Sequence, residues 1–447
     1  MNRQHNRRDF LRTTALAGAG LWIADRAPAA EKSKSALEQI HFACIGISGK
    51  GTSDSDDAAR LGKVVAICDI DDNHLNQRAN SKDRRTGEQR FLKAKKYNDF
   101  RKMFDEMGNS IDAVTVSTPD HVHAVASAMA MRLGKHCFTQ KPLTHTLYEA
   151  RRLGEIAREM RVATQMGNQG TASPRLREAA AQIRAGAIGA VKEVHVWTDR
   201  PIWPQGERPH PAPVPGSVHW DLWLGPAPER PYAVYTGGRP AYHPFAWRGF
   251  WAFGTGALGD MACHIMNMPF MALDLREPSS VEVETSGHNK DSYPKWSIIR
   301  YTFPARGSRP GLTMTWYDGG KKPPAEVLDG RQPRGGGAIL IGEKGKMVAF
   351  GDSGGSYRLV GDVTKPKVDY VRSPGHFEEF VRAIKGGPAP MSNFPDYAGP
   401  LTETVLLGNL AIWAGKKIEW DARNLKALNA SEVEPIIRPE YRKGYTV

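Results

Sequence analysis

Residues 41 to 69 hold the pattern that most restricts the fold. His41-Phe-Ala-Cys-Ile45 is a short apolar strand that runs into Gly46-Ile-Ser-Gly-Lys-Gly51. Ser53 to Leu61 has helix character, with Asp54, Asp56 and Asp57 in its first turns. Lys63-Val-Val-Ala-Ile-Cys68 is a second strand, ending in Asp69, eighteen residues after Gly51. A strand, a glycine turn, a helix and a second strand with a terminal acid make up dinucleotide-binding geometry. Gly46, Gly49 and Gly51 allow a tight turn and close approach to a pyrophosphate at a helix N-terminus, and Asp69 accepts hydrogen bonds from the adenosine ribose. Ser48 stands where the second glycine of G-x-G-x-x-G would be. An acid at position 69 disfavours a 2′-phosphate, so NAD is expected over NADP.

The alternation continues. Ser110-Ile-Asp-Ala-Val-Thr-Val116 reads as a buried strand, followed by Ser117-Thr-Pro-Asp-His-Val-His123 and a helix from about 124 to 133. Lys135-His-Cys-Phe-Thr139 is the next strand, running into Gln140-Lys-Pro142, and 144–159 is an amphipathic helix. Loops at the carboxyl ends of parallel strands gather around the ligand, so Ser117, Thr118, Pro119, His123, Gln140 and Lys141 are expected at the cofactor. Asn168, after the last of these strands, is a candidate substrate contact.

After residue 169 the character changes. Residues 174–185 read as a helix and 191–197 as a strand. Residues 200–250 are rich in Pro, Trp, Tyr and His, and six of the eleven tryptophans lie from Trp197 to Trp251. Flat aromatic faces beside polar groups suit sugar rings, which makes Trp251 a substrate candidate, but such an arm serves equally as core or subunit contact. Val281–Thr285, Ser297–Phe303 and Leu312–Trp316 alternate and are joined by Gly/Pro turns, as in an antiparallel sheet. Residues 318–338 read as a Gly/Pro/Lys-rich loop, and 377–384 and 402–414 as closing helices.

Gly254-Thr-Gly-Ala-Leu-Gly-Asp-Met-Ala-Cys-His-Ile-Met-Asn267 sets Asp260 four residues before His264. On a helix both fall on one face, where a carboxylate orients an imidazole and raises its basicity. An isolated D-x-x-x-H is more often a satisfied core histidine, and the remainder of the chain is what favours a general base. No metal is expected.

The first thirty residues read as an address. Asn6-Arg-Arg-Asp-Phe-Leu11, a short apolar stretch and Ala27-Pro-Ala-Ala30 form a twin-arginine export signal, which implies the twin-arginine machinery as a partner and a periplasmic or other extracytoplasmic destination. That route carries folded proteins, so a cofactor loaded before export and held tightly is expected. No run of 18 apolar residues exists, so no permanent membrane span is expected. The formal charge of +13 becomes +10 without residues 1–30, with Lys and Arg spread through the chain, which argues against nucleic acid. Cys44, Cys68, Cys137 and Cys263 lack C-x-x-C spacing and read as core residues.

With these residues in hand, the chain resembles the Gfo/Idh/MocA oxidoreductases over roughly 38 to 425. The likeness rests on the glycine turn, Asp69, the Ser-Thr-Pro loop with His123, Lys141-Pro142, Trp220-Asp-Leu-Trp-Leu-Gly-Pro-Ala-Pro228, and Asp260 with His264. Gln140 replaces the glutamate of the family's Glu-Lys-Pro motif. The resemblance implies an α/β chain: a Rossmann domain (38–165) and a C-terminal α/β domain (166–425) with an open, mostly antiparallel sheet, which leaves 426–447 as a tail. It implies substrate on one face of that sheet and a homo-oligomer through the other. It implies oxidation of a sugar, glycoside or cyclitol hydroxyl, with Lys141, Asp260 and His264 as the acid/base group and also as substrate contacts. Two alternatives stay open: a lyase or glycosidase that oxidises its sugar transiently and recycles NAD, and a non-catalytic periplasmic sugar-binding protein.

Overall fold

The computed structural model describes residues 39–447 except 84, 331, 332, 334 and 353, so the twin-arginine segment lies outside the described residues. Six parallel strands form the first sheet: β1 (His41–Ile45), β2 (Lys63–Cys68), β3 (Lys95–Tyr97), β4 (Ala113–Val116), β5 (His136–Thr139) and β6 (Thr164–Met166), in the order β3-β2-β1-β4-β5-β6. Every side chain of β4 and β6 is buried, as parallel strands covered on both faces require. The crossover helices are α1 (Lys50–Leu61), α2 (Asp72–Ala79), α3 (Phe100–Met107), α4 (Asp120–Arg132) and α5 (Leu147–Met160).

The caps show why these helices begin where they do. Asp71 accepts from the Asn73 amide and Asp99 from the Arg101 amide, while Thr146 and Glu149 form a reciprocal capping box at α5. Helix α1 differs: it starts at Lys50, one turn earlier than its acidic residues suggest, with Gly49 at its N-cap and no side-chain cap. Its first amides are left for another acceptor.

After α6 (Pro174–Arg184), strand β7 (Val191–Trp197) opens the second sheet. The arm that follows carries two two-residue strands, β8 (His210–Pro211) and β9 (Ala233–Val234), and the short helix α7 (Trp220–Leu224). Then come α8 (Gly256–Ile265), α9 (Asn267–Leu273), β10 (Ser280–Thr285), β11 (Ser297–Phe303), β12 (Leu312–Tyr317), β13 (Gly337–Gly342), β14 (Gly345–Phe350) and β15 (Ser356–Gly361). Helices α10 (His376–Ile384) and α11 (Gly399–Ala414), strands β16 (Ile418–Asp421) and β17 (Lys426–Ala427) and the short helix α12 (Glu434–Ile437) follow. The sheet order is β15-β14-β13-β7-β12-β11-β10-β16-β17, and among the described residues only β7 with β12 is parallel in it. The predicted loop over 318–338 therefore ends at β13, and the sequence reading missed the β13-β14-β15 meander.

Helices α8 and α11 pack between this sheet and the Rossmann layer. At Gly408 on α11 a Cβ would sit 2.2 Å from the Tyr301 hydroxyl and 2.7 Å from Leu258, so only glycine permits that approach. All described residues fall in one compact unit, and no described helix is long and apolar enough to cross a membrane.

Candidate active site

A cleft of about 500 Å³ lies at the carboxyl ends of β1, β2, β4 and β5, faced by arm residues 243–248 and by α8. Gly46 has φ 75°, and a Cβ there would lie 2.6 Å from the Ser117 carbonyl oxygen. A Cβ on Gly51 would lie 2.0 Å from the Gly46 carbonyl oxygen, so Gly51 serves the turn's own packing rather than facing the cleft. Gly49, with φ 57°, opens onto free space, and Ser48 lines the cleft beside it. The cradle and the uncapped α1 fit a pyrophosphate. The Asp69 carboxylate lines the cleft at the end of β2 and accepts from the amides of Ile47 (3.1 Å) and Asp71 (3.1 Å), which fixes its plane.

Ser117, Thr118, Pro119, Gln140 and Lys141 also line the cleft. The structure supplies a physical reason for Gln140. Its Nε2 donates to Asp54 Oδ2 (2.8 Å), which also accepts from Ser117 Oγ (2.7 Å), while Asp54 Oδ1 pairs with Lys50 (2.5 Å). A glutamate at 140 would face a buried carboxylate, so the amide is the group that satisfies Asp54. Burial pushes the Asp54 pKa up against the pull of Lys50. Asp54 and Lys50 were not anticipated as site residues, because acids in a first helical turn ordinarily serve the helix dipole.

His123 does not line the cleft. It is buried, with its two ring nitrogens each 2.8 Å from a carbonyl oxygen, of Pro142 and of Thr118; the neutral ring donates to one of them, and the contacts tie the β4 loop to the β5 loop. Burial lowers its pKa to about 4, so it is a neutral positioning residue.

At the far end of the cleft stands Lys141. Its Nζ donates to the Asp260 carbonyl oxygen (2.6 Å) and to Asp260 Oδ1 (2.9 Å). Arg248 Nε donates to the same Oδ1 (3.3 Å), with its guanidinium 4.2 Å from the Trp247 ring centroid and 4.7 Å from that of Phe245. Burial works to raise the Asp260 pKa, but Lys141 and Arg248 outweigh it and hold the carboxyl at about 2. Asp260 thus orients Lys141, not the imidazole one turn along. His264 lines the cleft, its Nδ1 has no partner, and burial, helped by Lys141, lowers its pKa to about 3. It is a neutral imidazole whose buried Nδ1 has no partner among the described residues. Four-residue spacing puts acid and base on one face, yet a lysine and an arginine from other elements win the carboxylate, since charge-assisted bonds are the stronger ones.

Two predicted substrate contacts lie elsewhere. Asn168 is fully buried, accepting from Ser392 Oγ (2.5 Å) and donating to the Cys263 carbonyl oxygen (3.4 Å), so it ties β6 to α8 from behind the cleft; its neighbour Gln169 is the residue that lines the cleft. Trp251 stacks on Tyr293 (ring centroids 3.7 Å) in a second cavity of about 490 Å³ bounded by Trp413, Glu149 and Tyr441. Sequence reasoning also missed Arg248, His74 and His243. None of them carries a local motif; the arm brings Arg248 and His243 to the cleft from far along the chain.

The comparisons agree with this architecture. The model of the Gfo/Idh/MocA oxidoreductase family's NAD-binding Rossmann fold matches residues 15–168, and the model of its C-terminal alpha/beta domain matches 190–447. The chain is similar to a dTDP-3,4-didehydro-2,6-dideoxy-alpha-D-glucose 3-reductase of Actinomadura kijaniata, 31% identical over 118 residues that make up 26% of this chain and 36% of that one. It is similar to a glycosyl hydrolase family 109 protein of Shewanella pealeana, 27% identical over an alignment of 171 residues, with 34% of this chain and 37% of that one covered. The matches therefore span only about a third of these curated relatives. Among solved structures, the WlbA dehydrogenase of Bordetella pertussis, in complex with NADH and UDP-GlcNAcA, superposes with a TM-score of 0.58 at 16% identity, covering 86% of this chain and 99% of that one. At that identity the likeness concerns the fold.

Proposed function

The chain belongs to the Gfo/Idh/MocA oxidoreductase family, and from that premise we propose that it is an NAD-dependent oxidoreductase that exchanges a hydride at a carbinol carbon of a carbohydrate, either a sugar, a glycoside or a cyclitol. The observation that carries this reading is the convergence of Lys141, Arg248 and a neutral His264 at the inner end of a cleft whose outer end is a dinucleotide cradle.

Gly46, Ser48 and Gly49 with the first amides of α1 would hold the pyrophosphate, and Asp69 the adenosine ribose. Bound there, NAD supplies the hydride acceptor at its nicotinamide ring. The chain's own residues handle the proton and the charge. Lys141, held by Asp260, donates to the substrate hydroxyl oxygen and stabilises the negative charge that develops on it. His264, which lines the cleft and is neutral because burial keeps it so, accepts the hydroxyl proton on its imidazole. Asp260 keeps the lysine in register, and Arg248 adds a second cation whose aromatic stack fixes its direction.

The dinucleotide is proposed to stay bound through turnover, and the protein to act outside the cytoplasm after twin-arginine export. Arm residues 243–248 form one wall of the cleft, and the amino-terminal address favours a route for loaded proteins. A retained dinucleotide would be restored by a second substrate, an oxidised sugar or ketone, which would make the kinetics ping-pong. The test is exhaustive dialysis of the purified protein, followed by dinucleotide absorbance and by assay without added NAD. An apoprotein that works only with supplied NAD overturns retention, and no hydride transfer with either supply overturns the oxidoreductase reading. Secretion of the full chain, but not of an Arg7/Arg8→Lys variant, tests the address.

One observation favours a second reading. The resemblance to the glycosyl hydrolase family 109 protein makes transient oxidation followed by bond cleavage the alternative, which glycoside breakdown without net NADH would reveal. The third possibility, a binder without turnover, leaves the Lys141–Asp260 pair without a role. The proposed homo-oligomer through the open face of the second sheet is tested by sedimentation.

A further inference from the structure

Where β2 ends, the chain reads Asp69-Ile-Asp-Asp72, three carboxylates within four residues. Their hydrogen-bond partners are backbone amides, Asn98, Ser217 and three imidazoles; among the described residues no Lys or Arg pairs with them. Two of those imidazoles come from the arm. His219 Nε2 bonds to Asp72 Oδ1 (3.1 Å) and His243 Nε2 to Asp71 Oδ2 (3.0 Å). The arm backbone docks at the same place, with the Asp72 amide donating to the Ser217 carbonyl oxygen (2.9 Å) and the His219 amide to that of Ile70 (2.9 Å).

Asp71, His74 and His243 each bring one ligand atom within 4.8 Å of the other two. Each is already held. Asp71 Oδ1 caps α2 through the Asn73 amide (2.9 Å), which leaves Oδ2 turned to His243. His74 stands one turn along on the same face of α2, with Asp69 Oδ1 behind its Nδ1 (3.4 Å). A carboxylate behind a ligand imidazole is the arrangement that orients metal-binding histidines. His243 reaches the pair from the arm, its ring centroid 5.3 Å from that of His74. Bonds of about 2.0–2.2 Å to N and O place ligand atoms about 3.3 Å apart around a tetrahedral ion, close to the spacing that Asp71 and His243 already have.

We propose that Asp71, His74 and His243 bind one divalent transition-metal ion of the zinc class, which staples the arm to the Rossmann domain beside the adenosine end of the cleft. Two imidazoles and one carboxylate suit this class, and a dication offsets the carboxylates that no lysine or arginine meets. His74 and His243 both line the cleft, so the ion closes the wall next to the adenosine. That consequence rests on the retained-cofactor reading, while the metal site itself does not.

The experiment uses the full chain purified without a polyhistidine tag, stripped with a chelator, reloaded with ZnCl2 and desalted, with zinc measured by mass spectrometry. One zinc per chain is expected in the wild type, with the dissociation constant raised at least about 100-fold in His74→Ala and in His243→Ala. Asp71→Asn, which keeps the side chain's size and its cap, is expected to raise it at least about tenfold. Circular dichroism checks that each variant is folded, and the visible absorption of bound Co2+ is expected to change in His74→Ala and in His243→Ala, which each lose one imidazole ligand. No zinc in the wild type overturns the site, leaving a hydrogen-bonded latch, and equal binding in folded variants overturns these ligands. Zinc-loaded holoprotein is expected to release dinucleotide on dialysis at least about fivefold more slowly than stripped holoprotein; equal rates overturn the staple. Absence of any co-purified dinucleotide defeats retention only, since the zinc count is read without it.

Discussion

At the inner end of the cleft two cations, Lys141 and Arg248, converge on the single carboxylate of Asp260. At the outer end Asp69, Asp71 and Asp72 face His74, His243 and His219. The inner set leaves surplus positive charge where an oxygen would become negative. The outer set has carboxylate to spare and joins two distant parts of the chain through imidazoles. The difference teaches that, on the proposed reading, chemistry and cofactor retention would fall to separate groups, so that each could be removed with the other left standing.

Lys141→Met should break the inner end most. The turnover rate is expected to fall at least about 100-fold, with dinucleotide content after dialysis unchanged, because Arg248 still faces Asp260. Loss of both together would show that the two ends act as one. An effect of similar size is expected at the outer end, where Asp69 would meet the 2′-phosphate of NADP. Calorimetry on stripped protein should show NADP binding weaker than NAD by a few kcal/mol. Equal affinities would remove Asp69 from cofactor choice.

Asp260→Asn sharpens the account of the inner end. Its carbonyl oxygen still accepts from Lys141, so turnover should drop about tenfold, the loss of one oriented charge-assisted bond of about 1.5 kcal/mol. A loss as deep as that of Lys141→Met would make Asp260 part of the chemistry rather than a positioning residue.

The pH dependence follows from buried imidazoles. His264 has a folded pKa of about 3, so its proton-accepting form persists as pH falls, and oxidation should show no acid limb near pH 6.5. A limb there would displace His264 as the base. Stability behaves differently. His121 at about 3 and His123, His145 and His376 at about 4 are depressed like His264, all by burial first. Between those values and about 6.5 the unfolded chain binds more protons, so stability is lost as pH falls through that window, by up to about 1.4 kcal/mol per pH unit for each. Asp120 and Glu149, raised to about 7 by burial, and Asp318, raised to about 6, act in the opposite sense. Five histidines against three acids predict a shallow fall in melting temperature from pH 6.5 to 5, measured by calorimetry. The smallest effect on turnover belongs to Trp251→Ala. It sits in the other cavity, and kinetic constants should stay within about twofold, whereas a large rise in KM would return it to the substrate site.

Much of the Rossmann half was legible because its signals are local. The glycine turn, Asp69 and the loop residues Ser117 to Pro119 and Gln140 to Lys141 each follow a strand, and in a parallel sheet strand ends converge whatever the side chains elsewhere do. Where that logic failed, a neighbour interposed: Gly51 packs on Gly46, and His123 turns inward to two carbonyls. The meander over 337–361 was missed because its strands have mixed exposure and glycine at one end or, in β13, at both, which weakens a period-two pattern.

By itself the sequence determined the alternation of strand and helix, the cradle, the acid at position 69 and the helix that bears Asp260 and His264, since each depends on spacing within a few residues. Tertiary structure alone decided which group the Asp260 carboxylate serves, why a glutamine suits position 140, and that Trp251 belongs to another cavity while His243 and Arg248 belong to this one. Those outcomes turn on which charges meet across 86 to 172 residues of chain. Such meetings are set by how the arm and α8 pack against the Rossmann layer, and a spacing rule, which reaches only a turn or two, cannot contain them.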